Sequence, residues 1–313
     1  MSTPEPSTPS FPRLDALLKR AQQRAAAKPP AIGLVYAADR RALEAAANMV
    51  DMRLARPVLI GPREAILRAA DAAAVDAGGF ELIDSGEGAR DAASRAATLA
   101  RDGALSALMK GSLHTDELMS AVVNRGNGLR SGSRISHAFI FDLPRYPKLL
   151  ALADCVVNIA PSLRTKQDIL GNAVALLQAA LGIARPKVGI VAAVETVNPA
   201  IPATLDAQAL VNMSKQGAWP QAIVEGPFGF DNAISAEAAR IKGLRSQVAG
   251  DADLLLVPDL NCGNMLYKSF NYIGGGECAG LVLGAKVPIV LTSRADSLQA
   301  RLASVALAVL AAP

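Results

Sequence analysis

The chain has 313 residues, of which 51% are hydrophobic and 19% charged, and its mean hydropathy is +0.27. That composition excludes a disulfide-stapled miniprotein and a chain that is disordered throughout, and the length predicts about two domains of roughly 150 residues. The net charge of +4 is spread over 32 basic and 28 acidic residues, and aromatic residues make up only 4%, so we expect no nucleic-acid partner. The best candidate for a membrane span, Ala279 to Leu291, is too short and contains Lys286, so we expect no membrane association and a soluble protein.

The N-terminal residues and the cysteines together predict a cytoplasmic protein. The opening MSTPEPSTPS has neither the basic start nor the apolar stretch of a secretory signal, and residues 1 to 12 are predicted to be disordered. The three cysteines, Cys155, Cys262 and Cys278, are widely spaced, and no CxxC pair or His/Cys cluster indicates a disulfide framework or a structural zinc. A reducing compartment fits these thiols.

In chain order, the pattern begins with an amphipathic helix from Leu14 to Ala27, which Pro29 and Pro30 end. Short apolar runs then alternate with Ala-rich stretches of helical period, which predicts an α/β protein with mostly parallel sheets and crossover helices. The predicted strands are Ala31 to Ala37, Pro57 to Ile60, Phe80 to Ile83, Ala104 to Met109, Ala138 to Asp142, Leu149 to Asn158, Lys187 to Val194, Ala222 to Glu225, Asp253 to Val257 and Val287 to Thr292.

Ligands of open α/β sheets bind beyond the carboxyl ends of the strands, and two such ends are prominent. Lys110 to Thr115 follows one strand as a short loop, in which Thr115 is predicted to cap the next helix and Lys110 lies near the helix's positive end. Ser293 and Arg294 follow the last strand, just before a helix capped by Asp296 or Ser297. Either end could hold an anion, although in isolation a solvated lysine, or a capping turn with a surface arginine, is the favoured interpretation of each.

Polar residues also follow the other predicted strands, so the sequence predicts a polar cleft along one end of the sheet. A purely structural sheet needs turn residues there too, which is the alternative interpretation. The residues are Asn158, Glu195, Thr196, Glu225, Asp231, Asp259, Asn261 and Asn264.

Several common catalytic motifs are absent from the sequence. It contains no GxSxG, GxxxxGK[ST] or HExxH, and its nearest approach to GxGxxG places the third glycine one residue late. His114 and His137 are the only histidines, and Ser136 and His137 would point to opposite faces of a strand, which argues against a Ser-His-Asp hydrolase. We therefore interpret His137 as structural, its imidazole satisfied by a backbone group, and Cys262 as an inert thiol.

The segments at the strand ends, taken together, resemble the phosphate acetyltransferase and phosphate butyryltransferase family. The resemblance runs from about Ala104 to the C-terminus, and its two most specific segments are AGDADLLLVPDLNCGNMLYKSF and VPIVLTSRADS. Four further segments match: MKGSLHT, ISHAFIFD, ADCVVNIAPSL and RPKVGIVAAVETVN.

The resemblance implies a fold like that of isocitrate and isopropylmalate dehydrogenases, with two α/β domains and a cleft between them. Domain I would comprise residues 1–136 plus 288–313, and domain II residues 137–287. The resemblance also implies a homodimer.

The family moves a short acyl group between coenzyme A and inorganic phosphate, without a metal, a permanently bound cofactor or a covalent acyl-enzyme. By resemblance, Arg294 grips phosphate and the developing oxyanion, and Ser293 hydrogen-bonds the departing sulfur. Ala300 stands seven residues after Ser293, where acetyl-specific members often have a carboxylate, so the acyl group and any general base stay open. The further candidates for phosphate or coenzyme A are Lys110, Thr115, Arg125, Arg134, Asn264 and Lys268, with Arg130 less favoured.

Two other functions are compatible with this resemblance. One is a non-catalytic domain that senses acyl-CoA or acyl phosphate, and the other is metal-dependent oxidative decarboxylation of a 2-hydroxy acid on the same fold. The second requires a cluster of aspartates, for which Asp251 and Asp253 are the nearest match.

Overall fold

The computed structural model describes residues 10–291 and 296–312. Within them the chain alternates between strands and helices along most of its length, as the apolar pattern predicts. The strands are β1 (Ala31–Val35), β2 (Arg56–Gly61), β3 (Glu81–Asp84), β4 (Ala107–Lys110), β5 (Ser136–Asp142), β6 (Leu150–Ala153), β7 (Lys187–Val191), β8 (Ile223–Phe228), β9 (Leu254–Leu256), β10 (Glu277–Leu283) and β11 (Ile289–Val290).

Helices connect most of these strands, and the first of them begins close to where the amphipathic pattern places it. The helices are α1 (Pro12–Ala25), α2 (Arg40–Asp51), α3 (Arg63–Ala73), α4 (Ala89–Arg101), α5 (Thr115–Val123), α6 (Leu163–Leu176), α7 (Pro202–Lys215), α8 (Phe230–Ile234), α9 (Ala236–Ile241), α10 (Leu260–Tyr272) and α11 (Leu298–Ala311). None of the helices in the described part of the chain has the length and apolar character needed to cross a bilayer.

All ten predicted strands overlap observed ones, and the structure adds β10, which the sequence analysis missed. The predicted strand from Leu149 to Asn158 ends early, at Ala153. There the carboxylate of Asp154 accepts the amide protons of Val156 at 2.9 Å and Val157 at 3.0 Å, which folds the chain into a turn.

The described strands form one continuous sheet in the order β3-β2-β1-β4-β11-β10-β5-β6-β9-β7-β8. Strands β3, β2, β1, β4 and β11 are parallel to one another, and so are β6, β9, β7 and β8. Between the two groups, β10 is antiparallel to both β11 and β5, and β5 is antiparallel to β6.

The strand directions correct the prediction that the polar strand ends share one edge. Because β5 runs parallel to β4 but antiparallel to β6, the carboxyl ends of the two parallel groups lie at opposite edges of the sheet. We call the edge at Lys110, Asp142 and Glu277 the first edge. The edge at Ser136, Asp154 and Leu283 is the second edge.

Helices cover both faces of the sheet, as a mostly parallel sheet requires. On one face, α1, α2, α6, α7 and α11 bury a single apolar cluster that runs along the whole sheet. On the other face, the buried residues divide into one cluster under α4 and α5 and a second under α8 and α10.

Candidate functional site

A cavity of about 250 Å³ lies at the first edge, beyond the carboxyl ends of β1 and β4. Its loop depends on Gly111, whose amide donates to the carbonyl of Val35 at 2.9 Å. A Cβ at this position would lie 2.5 Å from the carbonyl oxygens of both Val35 and Tyr36, so only glycine lets the end of β4 come this close to β1.

Two of the predicted binding residues, Lys110 and Thr115, line this cavity together. The Nζ of Lys110 donates to the carbonyls of Gly111 at 3.2 Å and Leu113 at 3.1 Å, which holds the ammonium group over the loop. The sequence suggested that Thr115 caps α5, but Thr115 is the first residue of that helix. The N-cap is His114, whose amide donates to the Glu117 carboxylate at 2.9 Å.

Arg41 and Arg301 add positive charge to the cavity wall. The carboxylate of Asp39 also lines it, and this side chain accepts the amide of Ala42 at 2.8 Å as the N-cap of α2. The Nε of Arg301 is shielded from solvent and has no hydrogen-bond partner among the described residues. Among the described residues, the wall therefore carries three cationic side chains and one carboxylate, which suits a small anion.

The predicted catalytic residues Ser293 and Arg294 lie outside the described residues. Val290 is paired with Met109, so the chain leaves β11 beside Lys110. On the other side, Ser297 is the N-cap of α11, one of the two predicted alternatives, since its hydroxyl oxygen accepts the amide of Ala300 at 2.9 Å. The same hydroxyl donates to Glu277 at 2.5 Å, at the start of β10.

Helix α10 connects the two edges and carries two further candidates. At its N-terminal end, the side-chain amide of Asn264 donates to the carbonyl of Cys155 at 3.4 Å, at the second edge. Lys268 is exposed, one residue after Tyr267. Burial, and then the nearby Cys278 and Asp296, raise the pKa of Tyr267 to about 12, so this part of α10 lies near residues that flank the Ser293 and Arg294 segment.

The remaining arginine candidates do not line the cavity. Arg125 is exposed in a 3₁₀ turn that follows α5, and Arg130 forms an isolated backbone bridge with Ala285. Arg134 is exposed near the second edge, where its amide donates to Asp168 at 3.3 Å and its carbonyl accepts from Asn172 at 2.9 Å. The structure therefore brings Lys110 and Thr115 together but not Arg125, Arg134, Asn264 or Lys268.

His137 is a buried residue of β5, 1% exposed, and burial lowers its pKa to about 4. Its ring centroid lies 4.3 Å from that of Phe139, whereas the Ser136 hydroxyl accepts from Asn172 at 2.9 Å on the other face, as alternation along a strand requires. The Nδ1 of His137 has no partner among the described residues, so the predicted backbone contact is not formed at that atom. At neutral pH the imidazole is uncharged.

The thiols and the aspartate pair fit structural roles. Burial raises the pKa of Cys262, which leaves it protonated and unreactive near neutral pH. Asp251 and Asp253 are ion-paired with Lys148 at 2.7 and 2.6 Å, and Asp251 is also paired with Lys187 at 2.5 Å. Both carboxylates therefore neutralise lysines of the same chain. Residues 10–291 and 296–312 contain no group of three His, Cys, Asp or Glu side chains placed to hold a metal ion.

Comparison with known proteins gives a consistent result. The family model described as "Phosphate acetyl/butaryl transferase" matches residues 84–309. The chain is 45% identical over 306 residues to the phosphate acetyltransferase of Rhizobium meliloti, covering 97% of this chain and 94% of that protein. It is 37% identical over 281 residues to the phosphate butyryltransferase of Clostridium acetobutylicum, with 90% and 93% covered.

A solved structure has the same fold as this chain. The branched-chain phosphotransacylase from Enterococcus faecalis V583 superimposes with a TM-score of 0.79 at 27% identity, covering 90% of this chain and 98% of that one. The chain belongs to the phosphate acetyl/butyryl transferase family. It is a phosphate acyltransferase.

Proposed function

We propose that the protein transfers an acetyl group most readily, and a butyryl group next, between coenzyme A and inorganic phosphate in a reversible reaction. The observation that carries this proposal is the 45% identity to an acetyltransferase over 97% of the chain. The cationic cavity beside the end of β11 supports it, because both substrates of such a reaction are anions. Coenzyme A is then a substrate, and no permanently bound cofactor takes part.

The reaction we propose is direct attack within a ternary complex. A phosphate oxygen attacks the thioester carbonyl carbon, the C–S bond breaks, and coenzyme A leaves as the thiolate. Arg294 holds phosphate and stabilises the oxyanion with its planar fork of donors, and Ser293 donates a hydrogen bond to the departing sulfur. Because phosphate is already a competent nucleophile, the protein mainly positions two anions and excludes water.

Three residues are our candidates for binding coenzyme A or phosphate. Lys110 and Thr115 are our candidates at the cavity. Lys268 is a candidate on α10, close to Tyr267 and hence to Asp296. Arg125, Arg134 and Asn264 stay predictions from the sequence.

We also propose two domains, residues 1–136 plus 288–313 and residues 137–287, arranged as in isocitrate dehydrogenase. The reversal of strand direction between β11 and β10 supports this division, and so does the split of the apolar core into two clusters on one face. A homodimer and a cytoplasmic location belong to the same proposal.

Arg294→Ala tests the assigned chemistry. Loss of an oxyanion donor costs on the order of a hundredfold or more in kcat, so we expect that loss in thioester formation from acyl phosphate and coenzyme A. Arg68→Gln is the matched control, since Arg68 is an exposed helical arginine on α3. An Arg294→Ala rate within a few-fold of the wild type would remove Arg294 from the mechanism.

A further inference from the structure

The C-terminal helix α11 carries one charged residue, Arg301, in an otherwise apolar and largely buried sequence. The helix buries nine residues against α1, β10 and its other neighbours. Arg301 is half-buried, and a guanidinium N–H that is shielded from water is costly without a hydrogen-bond acceptor. The described residues do not supply one at Nε, which is buried and has no hydrogen-bond partner.

The position of this side chain indicates where its hydrogen-bond acceptor would lie. Arg301 lines the cavity at the first edge together with Lys110 and Arg41. The carboxylate in the same wall, Asp39, already accepts the amide of Ala42 at 2.8 Å as a helix cap. An anion that enters the cavity would meet both the guanidinium and the Lys110 ammonium group.

We propose that Arg301 is a positioning residue for the phosphate substrate, and that with Lys110 it forms a subsite for a phosphoryl dianion. This inference rests on the proposed function. The chemistry recognised is a phosphoryl group, which inorganic phosphate, acyl phosphate and the phosphates of coenzyme A all carry. The cavity volume of about 250 Å³ favours the small substrates, because drug-sized ligands occupy clefts of roughly 300–1,000 Å³.

The geometry predicts a specific kinetic result for Arg301→Gln. A charge-assisted hydrogen bond contributes about 1.5–3 kcal/mol, so we expect the KM for inorganic phosphate and for acyl phosphate to rise roughly 10- to 100-fold. The KM for coenzyme A should stay within about twofold of the wild type. Arg301→Lys keeps the charge and should recover part of the loss, whereas Arg68→Gln, at an exposed position on α3, should behave like the wild type.

A binding measurement separates this inference from the proposed function. Isothermal titration calorimetry of the free protein with inorganic phosphate measures phosphate binding and requires no turnover. Weaker phosphate binding in Arg301→Gln than in the wild type supports the subsite even if the wild-type protein forms no thioester. Unchanged phosphate binding and unchanged KM values in a folded Arg301→Gln protein would overturn it. A rise in the KM for coenzyme A alone would also overturn it, because the subsite would then hold a phosphate of coenzyme A.

Discussion

At the scale of single residues, burial decides the protonation state of His137. His137 packs beside the Phe139 ring, and both rings lie against Gly280 of β10, where a Cβ would be 2.7 Å from the Cε1 of Phe139 and 2.9 Å from the Cε1 of His137. Asp154 is 2% exposed and accepts the backbone amide of His137 at 3.2 Å. Its charge favours the imidazolium, but burial outweighs that attraction and keeps the ring neutral.

This neutral histidine predicts how stability depends on pH. The pKa of His137 is about 4 in the folded protein and about 6.5 in the unfolded chain, so between these values the unfolded chain binds more protons. The full stability is present above pH 6.5 and is lost as the pH falls towards 4. We expect His137 to remove about 2 kcal/mol of unfolding free energy between pH 7.5 and pH 5.

Urea unfolding at those two pH values measures the effect. His137→Leu should abolish this part of the pH dependence, whereas His114→Gln, at an exposed position, should retain it. An unchanged pH dependence in His137→Leu would contradict a neutral, buried imidazole.

Some residues that line the cavity could be predicted from the sequence, and others could not. Lys110 and Thr115 could be predicted because they directly follow an apolar run, where α/β proteins place ligands. Arg301 was missed, although a lone arginine in the apolar segment LQARLASVALAVLA was the available signal. Its role depends on the approach of α11 to the loop after β4, a contact between distant parts of the chain that no local pattern encodes.

At the scale of elements, Asp142 joins β5 to the start of α1. It is 2% exposed and pairs with the guanidinium of Arg13, and its Oδ2 accepts the amides of Arg13 at 2.8 Å and Leu14 at 3.3 Å. One carboxylate therefore satisfies the helix N-terminus and a charged side chain from a distant part of the sequence.

Removal of this carboxylate should loosen α1 from the sheet. We expect Asp142→Ala to cost about 2–3 kcal/mol of unfolding free energy, less than for a fully buried pair because Arg13 is partly exposed. Glu44→Ala, which breaks an exposed pair with Arg40 on α2, should cost under about 0.5 kcal/mol. Equal shifts of the urea midpoint in both variants would show that Asp142 does not join the two elements.

Strand β10 shows why the prediction of elements was incomplete. Its residues, Glu277–Leu283, belong to a longer apolar stretch that was considered only as a membrane span. Most of its residues are buried, so the polar–apolar alternation of a half-exposed strand is absent. This strand, which is antiparallel to both of its neighbours, was therefore not predictable from periodicity.

At the scale of the whole molecule, the directions of β5 and β6 decide at which edge of the sheet each group of strands ends. Strand β5 runs in the direction of β4 and β11, and β6 is antiparallel to β5, so the polar residues after β6 and β9 lie at the edge opposite to Lys110. The fold class could be predicted because each strand–helix unit is local. The positions of the two edges depend on pairing across more than 130 residues, as between Ile140 and Ala279, which a single sequence does not reveal.

Thioester formation is the most direct test of the central claim. Purified protein is mixed with coenzyme A and acetyl phosphate in one cuvette and butyryl phosphate in another, and ultraviolet absorbance follows the thioester. We predict rapid formation, with a higher kcat/KM for acetyl phosphate than for butyryl phosphate. Protein that is folded by circular dichroism but forms no thioester with either substrate would contradict the assignment as a phosphate acyltransferase acting on short acyl groups.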